Sequence, residues 1–298
     1  MSASTQRLLA AMPRCWVELA RVSNPKAPLP LDAGLKQAQR QTMFPVRDHN
    51  PSGRVPYVLY GLIASNILAY LYYSYAYSSP FELAHFYQAY AIIPAHVTTS
   101  GDGQSLLSSI FVHAGLMHLA GNMLFLWIFG DNMEEEMGHI PFLLFYLASG
   151  IGAGLIHVWS APNSLVPTVG ASGAIAGVMG GYLLLFPKAK VDILLFLIVY
   201  FRIITIPAFI MLGLWFVIQF IGGIGSSPEQ GGVAYWAHAG GFVVGLILTI
   251  PLWLLRGGPA FWNETDGSPP YPGNEYTYSA SHIPKLPRKR RSPGPWGK

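Results

Sequence analysis

Between Arg54 and Lys188 the sequence contains no lysine or arginine, and between Arg202 and Arg256 it again contains none. Stretches of that length filled with apolar residues leave a soluble fold short of charged surface and suit a hydrocarbon environment. Charged residues make up 11% of the 298 and hydrophobic ones 52%, which argues for membrane spans rather than one large soluble core. A bilayer core of ~30 Å needs about 20 apolar helical residues at ~1.5 Å each. Six segments qualify: 57–77, 107–130, 140–160, 171–187, 206–223 and 235–255. A seventh, 191–201, has about half the required length and is expected to be an interfacial or re-entrant piece rather than a crossing. The expected fold class is an all-α membrane protein, a bundle of six transmembrane helices.

An even count puts both termini on one side, and basic residues in short flanking segments identify that side as cytoplasmic. Eight Lys or Arg precede the first span, three (Lys188, Lys190, Arg202) lie between the fourth and fifth, and seven follow from Arg256, which accounts for all 18. The segments 78–104, 161–170 and 224–234 contain none and are expected to face outward. The loop expected at 131–138 is acidic (Glu134, Glu135, Glu136), but carboxylates weigh little in this rule. The expected location is the cell membrane, with the lipid bilayer as partner. With a net charge of +4 gathered at the termini and in one loop, the basic residues read as topology signals and not as a nucleic-acid footprint. The lone cysteine, Cys15, excludes an intrachain disulfide.

Chemistry converges on the outward ends of three segments. Ser172, in Gly170-Ala171-Ser172-Gly173, opens the fourth span. There the unpaired N–H groups of a first helical turn face a developing oxyanion, and the flanking glycines admit a substrate backbone. His238, in Ala237-His238-Ala239-Gly240-Gly241, lies at a similar depth in the sixth span. The spacings Gly173-x3-Gly177 and Gly241-x3-Gly245 let the two helices pack closely, so that the imidazole reaches the serine and takes its proton. The second segment brings His113, His118 and Asn122. His118 and Asn122, four apart, share a face and are placed to donate to an oxyanion, whereas His113 lies about 140° round from His118. That same divergence, without a Cys, Asp or Glu nearby, counts against a metal held by His113, His118 and His238, and no cofactor is expected. His157 is read as structural. A transporter or channel would carry charges or broken helices at mid-membrane, and none of the six segments contains Asp, Glu, Lys or Arg.

The stretches His113-x4-His118-x3-Asn122, Gly170-x-Ser172-Gly173 and Ala237-His238-x-Gly240-Gly241-x3-Gly245, in that order, resemble the hallmarks of the rhomboid family of intramembrane serine proteases, over about 43–255. The resemblance implies a six-span fold with a Ser172–His238 dyad and no aspartate. It implies an oxyanion hole lined by His118, Asn122 and the Ser172 backbone N–H, with Gly170 and His113 in support, and Glu134 with Gly138 as a structural motif. It implies a serine endopeptidase acting on transmembrane segments of other proteins near the outer membrane face. The alternative is an inactive relative that binds or escorts membrane proteins; such members usually lack the dyad, which this chain keeps. Two departures stand out. The family's best-known members stack an aromatic residue on the catalytic imidazole where this chain has Ala176, and the first outward loop lacks the family's Trp-Arg pair. Something else must hold the ring.

The expected organisation is a cytoplasmic tail at 1–54, a six-span protease domain at 55–256 and a basic, Pro-rich cytoplasmic tail at 257–298. Arg7, Arg14 and Arg21 recur along one face of a surface helix that Pro13 would interrupt, with a targeting peptide and, by default, a largely disordered tail as the competing readings. The run 285–291 is expected to be a solvated cytoplasmic tail within reach of anionic lipid, and the Gly-rich segment 222–232 has the composition of a mobile lid or a plain connector.

Overall fold

The computed structural model describes residues 43–48, 52–197, 200–226 and 232–269. The Arg7–Arg21 pattern, the basic run 285–291 and residues 227–231 of the Gly-rich segment lie outside them. In chain order the elements are β1 (Met43–Asp48), α1 (Tyr57–Ala76), α2 (Pro80–Tyr90), α3 (Pro94–Ser100), α4 (Ser105–Ser108) with a 3-10 turn at Ser109–Phe111, α5 (Leu116–Met137) and α6 (His139–Ser160). There follow α7 (Ser172–Leu185), β2 (Lys190–Leu197), β3 (Tyr200–Pro207), α8 (Ala208–Gly225), α9 (Tyr235–Leu255) and α10 (Pro259–Thr265).

Each of the six apolar segments contains a helix, but they are unequal. Among the described residues α6, α8 and α9 are long and apolar enough to cross a membrane, and a fourth crossing is reached if the pair Ser105–Phe111 and Leu116–Met137 counts as one span. The tyrosine-rich α1 falls short in hydropathy, and α7 has only 14 residues. Side chains such as Leu68, Tyr75, Trp159, Ile221 and Leu255 stand exposed on the outside of the bundle, as lipid-facing residues do.

The second segment, expected as one run over 107–130, bends by 93° before α5. The cause lies on α1. The Tyr73 hydroxyl accepts the His113 N–H at 2.9 Å and donates to the His113 carbonyl, occupying the backbone groups that a continuous helix would have used. At its other end α5 runs to Met137, so the residues expected to form an acidic loop are helical. Glu134 is there for a reason: buried at 1% side-chain exposure, it accepts the N–H groups of Val58 at 2.9 Å and Leu59 at 2.7 Å, and also meets His139 Nδ1. A carboxylate thus satisfies the free donors at the N-terminus of α1, where the helix dipole favours negative charge. Gly138, at φ 81° and ψ 163°, turns the chain sharply into α6, a conformation that only glycine adopts readily. Replacing Glu134 with alanine orphans these donors and is expected to cost about 2–4 kcal/mol, read as a lower unfolding midpoint in detergent, with Glu134→Gln milder.

The short apolar segment 191–201, expected as an interfacial or re-entrant piece, falls in the paired strands β2 and β3. Its density of Val, Ile, Phe and Tyr favours extended backbone, and β2 pairs antiparallel with both β1 and β3, Met43 opposite Leu195 and Lys190 opposite Pro207. Beyond α9, the helix α10 returns to the body: Phe261 is buried and Trp262 Nε1 donates to the Leu184 carbonyl at the end of α7 at 2.9 Å. The start of the segment expected as a C-terminal tail therefore docks on the bundle.

At the centre stands α7, buried from Gly173 to Tyr182 and enclosed by α5, α6 and α9. Small residues set its approach to α9. A Cβ on Gly241 would fall 2.1 Å from the Gly173 carbonyl oxygen, and one on Gly245 would fall 2.1 Å from the Gly177 oxygen and 2.3 Å from its Cα. A Cβ on Gly177 would meet Ser149 of α6. Backbone meeting backbone leaves no flexible side chain to give way. Gly245→Val is expected to lower stability by at least about 3 kcal/mol, measurable as a fall in melting temperature.

Candidate active site

The loop entering α7 is pinned before the serine is reached. Thr168 and Ile92 exchange backbone hydrogen bonds at 2.8 and 2.9 Å, the Gly170 N–H donates to the Ser109 carbonyl at 3.0 Å, and Thr168 Oγ1 lies 2.8 Å from His157 Nε2. His157, read as structural, thus ties α6 to the loop that presents Ser172. The serine is the first residue of α7, half-buried, and a narrow cleft lined by Ile92, His157, Thr168, Gly173 and Ala237 opens beside it.

From α9, His238 places Nε2 at 2.8 Å from Ser172 Oγ. Its Nδ1 lies 2.8 Å from Gln219 Oε1 on α8. Four residues earlier on the same helix, Trp215 lays its ring against the imidazole, with centroids 5.9 Å apart and planes tilted by 31°. These two side chains hold the ring that Ala176, itself fully buried, cannot reach. Neither was singled out in the sequence. The available signal was a lone amide, Gln219, inside an otherwise apolar segment, where a polar residue is costly and marks function by default.

The side chains expected to line an oxyanion hole come from α5. His118 Nδ1 accepts the Ala114 N–H at 3.4 Å, which leaves the proton on Nε2. That nitrogen and Ser172 Oγ flank one spot: a Cβ on Gly170 would sit 2.9 Å from the first and 3.5 Å from the second. Gly170, at φ 131°, therefore cannot be replaced without displacing His118. Asn122, one turn further along α5, is buried, and its Nδ2 meets no acceptor among the described residues. His113 is placed differently. It lies in the bend before α5, wholly buried, its ring edge-on to His118 with centroids 5.2 Å apart, so it backs His118 and does not face the serine. The described residues contain no group of three or more His, Cys, Asp or Glu able to hold a metal ion. The arrangement offers a hydroxyl beside a base, with His118 Nε2 near the same hydroxyl at Gly170, a set of groups suited to acyl transfer.

A family model described as "Rhomboid domain" matches residues 100–255. The chain is 33% identical over 171 residues to "Rhomboid protein 1, mitochondrial" of Saccharomyces cerevisiae, covering 54% of this chain and 45% of that protein. It is 33% identical over 172 residues to "RHOMBOID-like protein 4" of Arabidopsis thaliana, covering 57% and 39%. Against "Rhomboid protease GluP" of Bacillus subtilis it is 42% identical over 83 residues, covering 28% and 16%. The chain thus spans less than half the length of these curated relatives.

Proposed function

We propose that this chain, which belongs to the rhomboid family, is an intramembrane serine endopeptidase with Ser172 as nucleophile and His238 as general base. The observation that carries this reading is the 2.8 Å contact between Ser172 Oγ and His238 Nε2, made by residues 66 positions apart. In the proposed reaction His238 Nε2 takes the hydroxyl proton as Oγ attacks the scissile carbonyl. Negative charge then develops on the carbonyl oxygen, where His118 Nε2–H, Asn122 Nδ2–H and the Ser172 backbone N–H donate. The imidazolium passes its proton to the leaving amine, and the C–N bond breaks. Water, deprotonated by the same nitrogen, then hydrolyses the acyl-serine.

The substrate proposed is a transmembrane segment of another membrane protein. At ~1.5 Å per residue the 14 residues of α7 reach about 21 Å, short of a bilayer core of ~30 Å, which supports a serine sunk below one membrane surface. The distribution of basic residues supports the outer surface for that site, with both termini cytoplasmic. A substrate helix must unwind to offer its backbone. Segments with Gly, Ala, Ser or Pro near their outer end unwind at least cost.

The test is cleavage of reporters bearing such segments by purified protein in liposomes, with the cut mapped by mass spectrometry. A cut near the outer end of the segment is expected. A folded wild type that binds a reporter yet leaves the whole panel intact would replace this reading with the escort one.

A further inference from the structure

We propose that Gln219 is a positioning residue for the dyad: a neutral hydrogen-bond acceptor on His238 Nδ1 that sets the imidazole tautomer in the place where many serine hydrolases use a carboxylate. The inference rests on the dyad reading above. A neutral imidazole carries one N–H, and a carbonyl oxygen can only accept. With Gln219 Oε1 at 2.8 Å from Nδ1, the proton resides there, and Nε2 presents a lone pair to Ser172 Oγ, also at 2.8 Å. The inverted amide would put NH₂ against Nδ1, move the proton to Nε2 and disable the base. A merely satisfied polar group could have bonded anywhere on its own helix. Gln219, 4% exposed, instead spends its oxygen on the one ring atom that controls the base, while Trp215 on the same face of α8 covers the ring.

Among the described residues the titratable groups facing His238 are His118 from α5 and His157 from α6. The elements α7 and α8 bring Ser172, Trp215 and Gln219, none of them charged. Among the described residues the imidazolium formed in turnover is therefore held by a dipole and not by an anion. A glutamate at 219 would accept the same hydrogen bond and add that anion, favouring the protonated ring.

Three proteins decide the matter: wild type, Gln219→Leu and Gln219→Glu, each with its melting temperature, its reporter kinetics across pH, and ¹⁵N spectra of labelled histidine. Gln219→Leu is expected to lose about 10- to 100-fold in kcat with little change in KM, as a misplaced base does. Its spectrum should lose the single Nδ1–H tautomer that wild type shows for His238. Gln219→Glu should recover most of the activity, with the acid limb of its kcat profile displaced upward by about one to two pH units. Wild-type kcat in Gln219→Leu, or an unmoved tautomer and an unmoved profile, overturns the proposal. If wild type cleaves no reporter, the endopeptidase reading fails on its own, and the tautomer spectra still decide whether Gln219 sets the ring.

Discussion

Replacing either Ser172 or His238 with alanine is expected to lower the rate of reporter cleavage by about 10⁴- to 10⁶-fold, and the double variant is expected to lose no more than the worse single one. In the proposed dyad the nucleophile and its base act as one unit, since a serine hydroxyl is nearly inert until a positioned group removes its proton. Ser172→Ala leaves the bond between His238 and Gln219 in place and removes only Oγ, so the fold should be unaffected. His238→Ala also leaves Gln219 Oε1 without its partner inside the bundle, so a modest fall in melting temperature should accompany the lost activity. Measuring both quantities on both variants separates lost chemistry from lost structure. Additive losses in the double variant would mean that the two side chains act independently.

Asn122→Ala is the second large expected effect: kcat should fall by about 10²- to 10³-fold, the usual worth of one oxyanion donor, without a matching loss of stability. The buried Nδ2 of Asn122 meets no acceptor among the described residues, so truncation sacrifices no bond from that atom in the resting protein. In the proposed reaction its hydrogen bond forms only when charge develops on the substrate. Glu134 provides the contrast, because its carboxylate is fully engaged in the resting fold; its removal should lower the melting temperature first. An Asn122→Ala protein that unfolds early while its folded fraction turns over normally would make the amide a structural group.

Much of the site could be read from residue type and spacing. A serine between glycines at the head of one apolar segment and a histidine flanked by small residues in another pointed to two helices in close contact, and Gly241 and Gly245 do lie against the backbone at Gly173 and Gly177. What could not be read depends on partners distant in sequence. The bend before α5 follows from Tyr73 holding the backbone of His113, 40 residues away, so the periodicity of the second segment alone carries no trace of it. Glu134 sits in what reads as an acidic loop until its partners, the N–H groups of α1 some 75 residues earlier, are in view. Length against a membrane does not reveal the strands β2 and β3, whereas their β-branched and aromatic content is the better guide. Gln219 was legible in principle. Unlike Asn122 it has no histidine one turn away to mark it, and only the fold shows that it reaches the far side of the His238 ring.

The central claim, a serine made nucleophilic by His238, is tested most directly by an alkyl fluorophosphonate, from which an activated hydroxyl displaces fluoride to leave a stable serine–phosphorus ester. Purified wild type should gain one such adduct, mapped by mass spectrometry to Ser172, while His238→Ala gains it far more slowly and Ser172→Ala not at all. An adduct on another residue, or labelling of Ser172 at the wild-type rate in folded His238→Ala protein, would contradict the account.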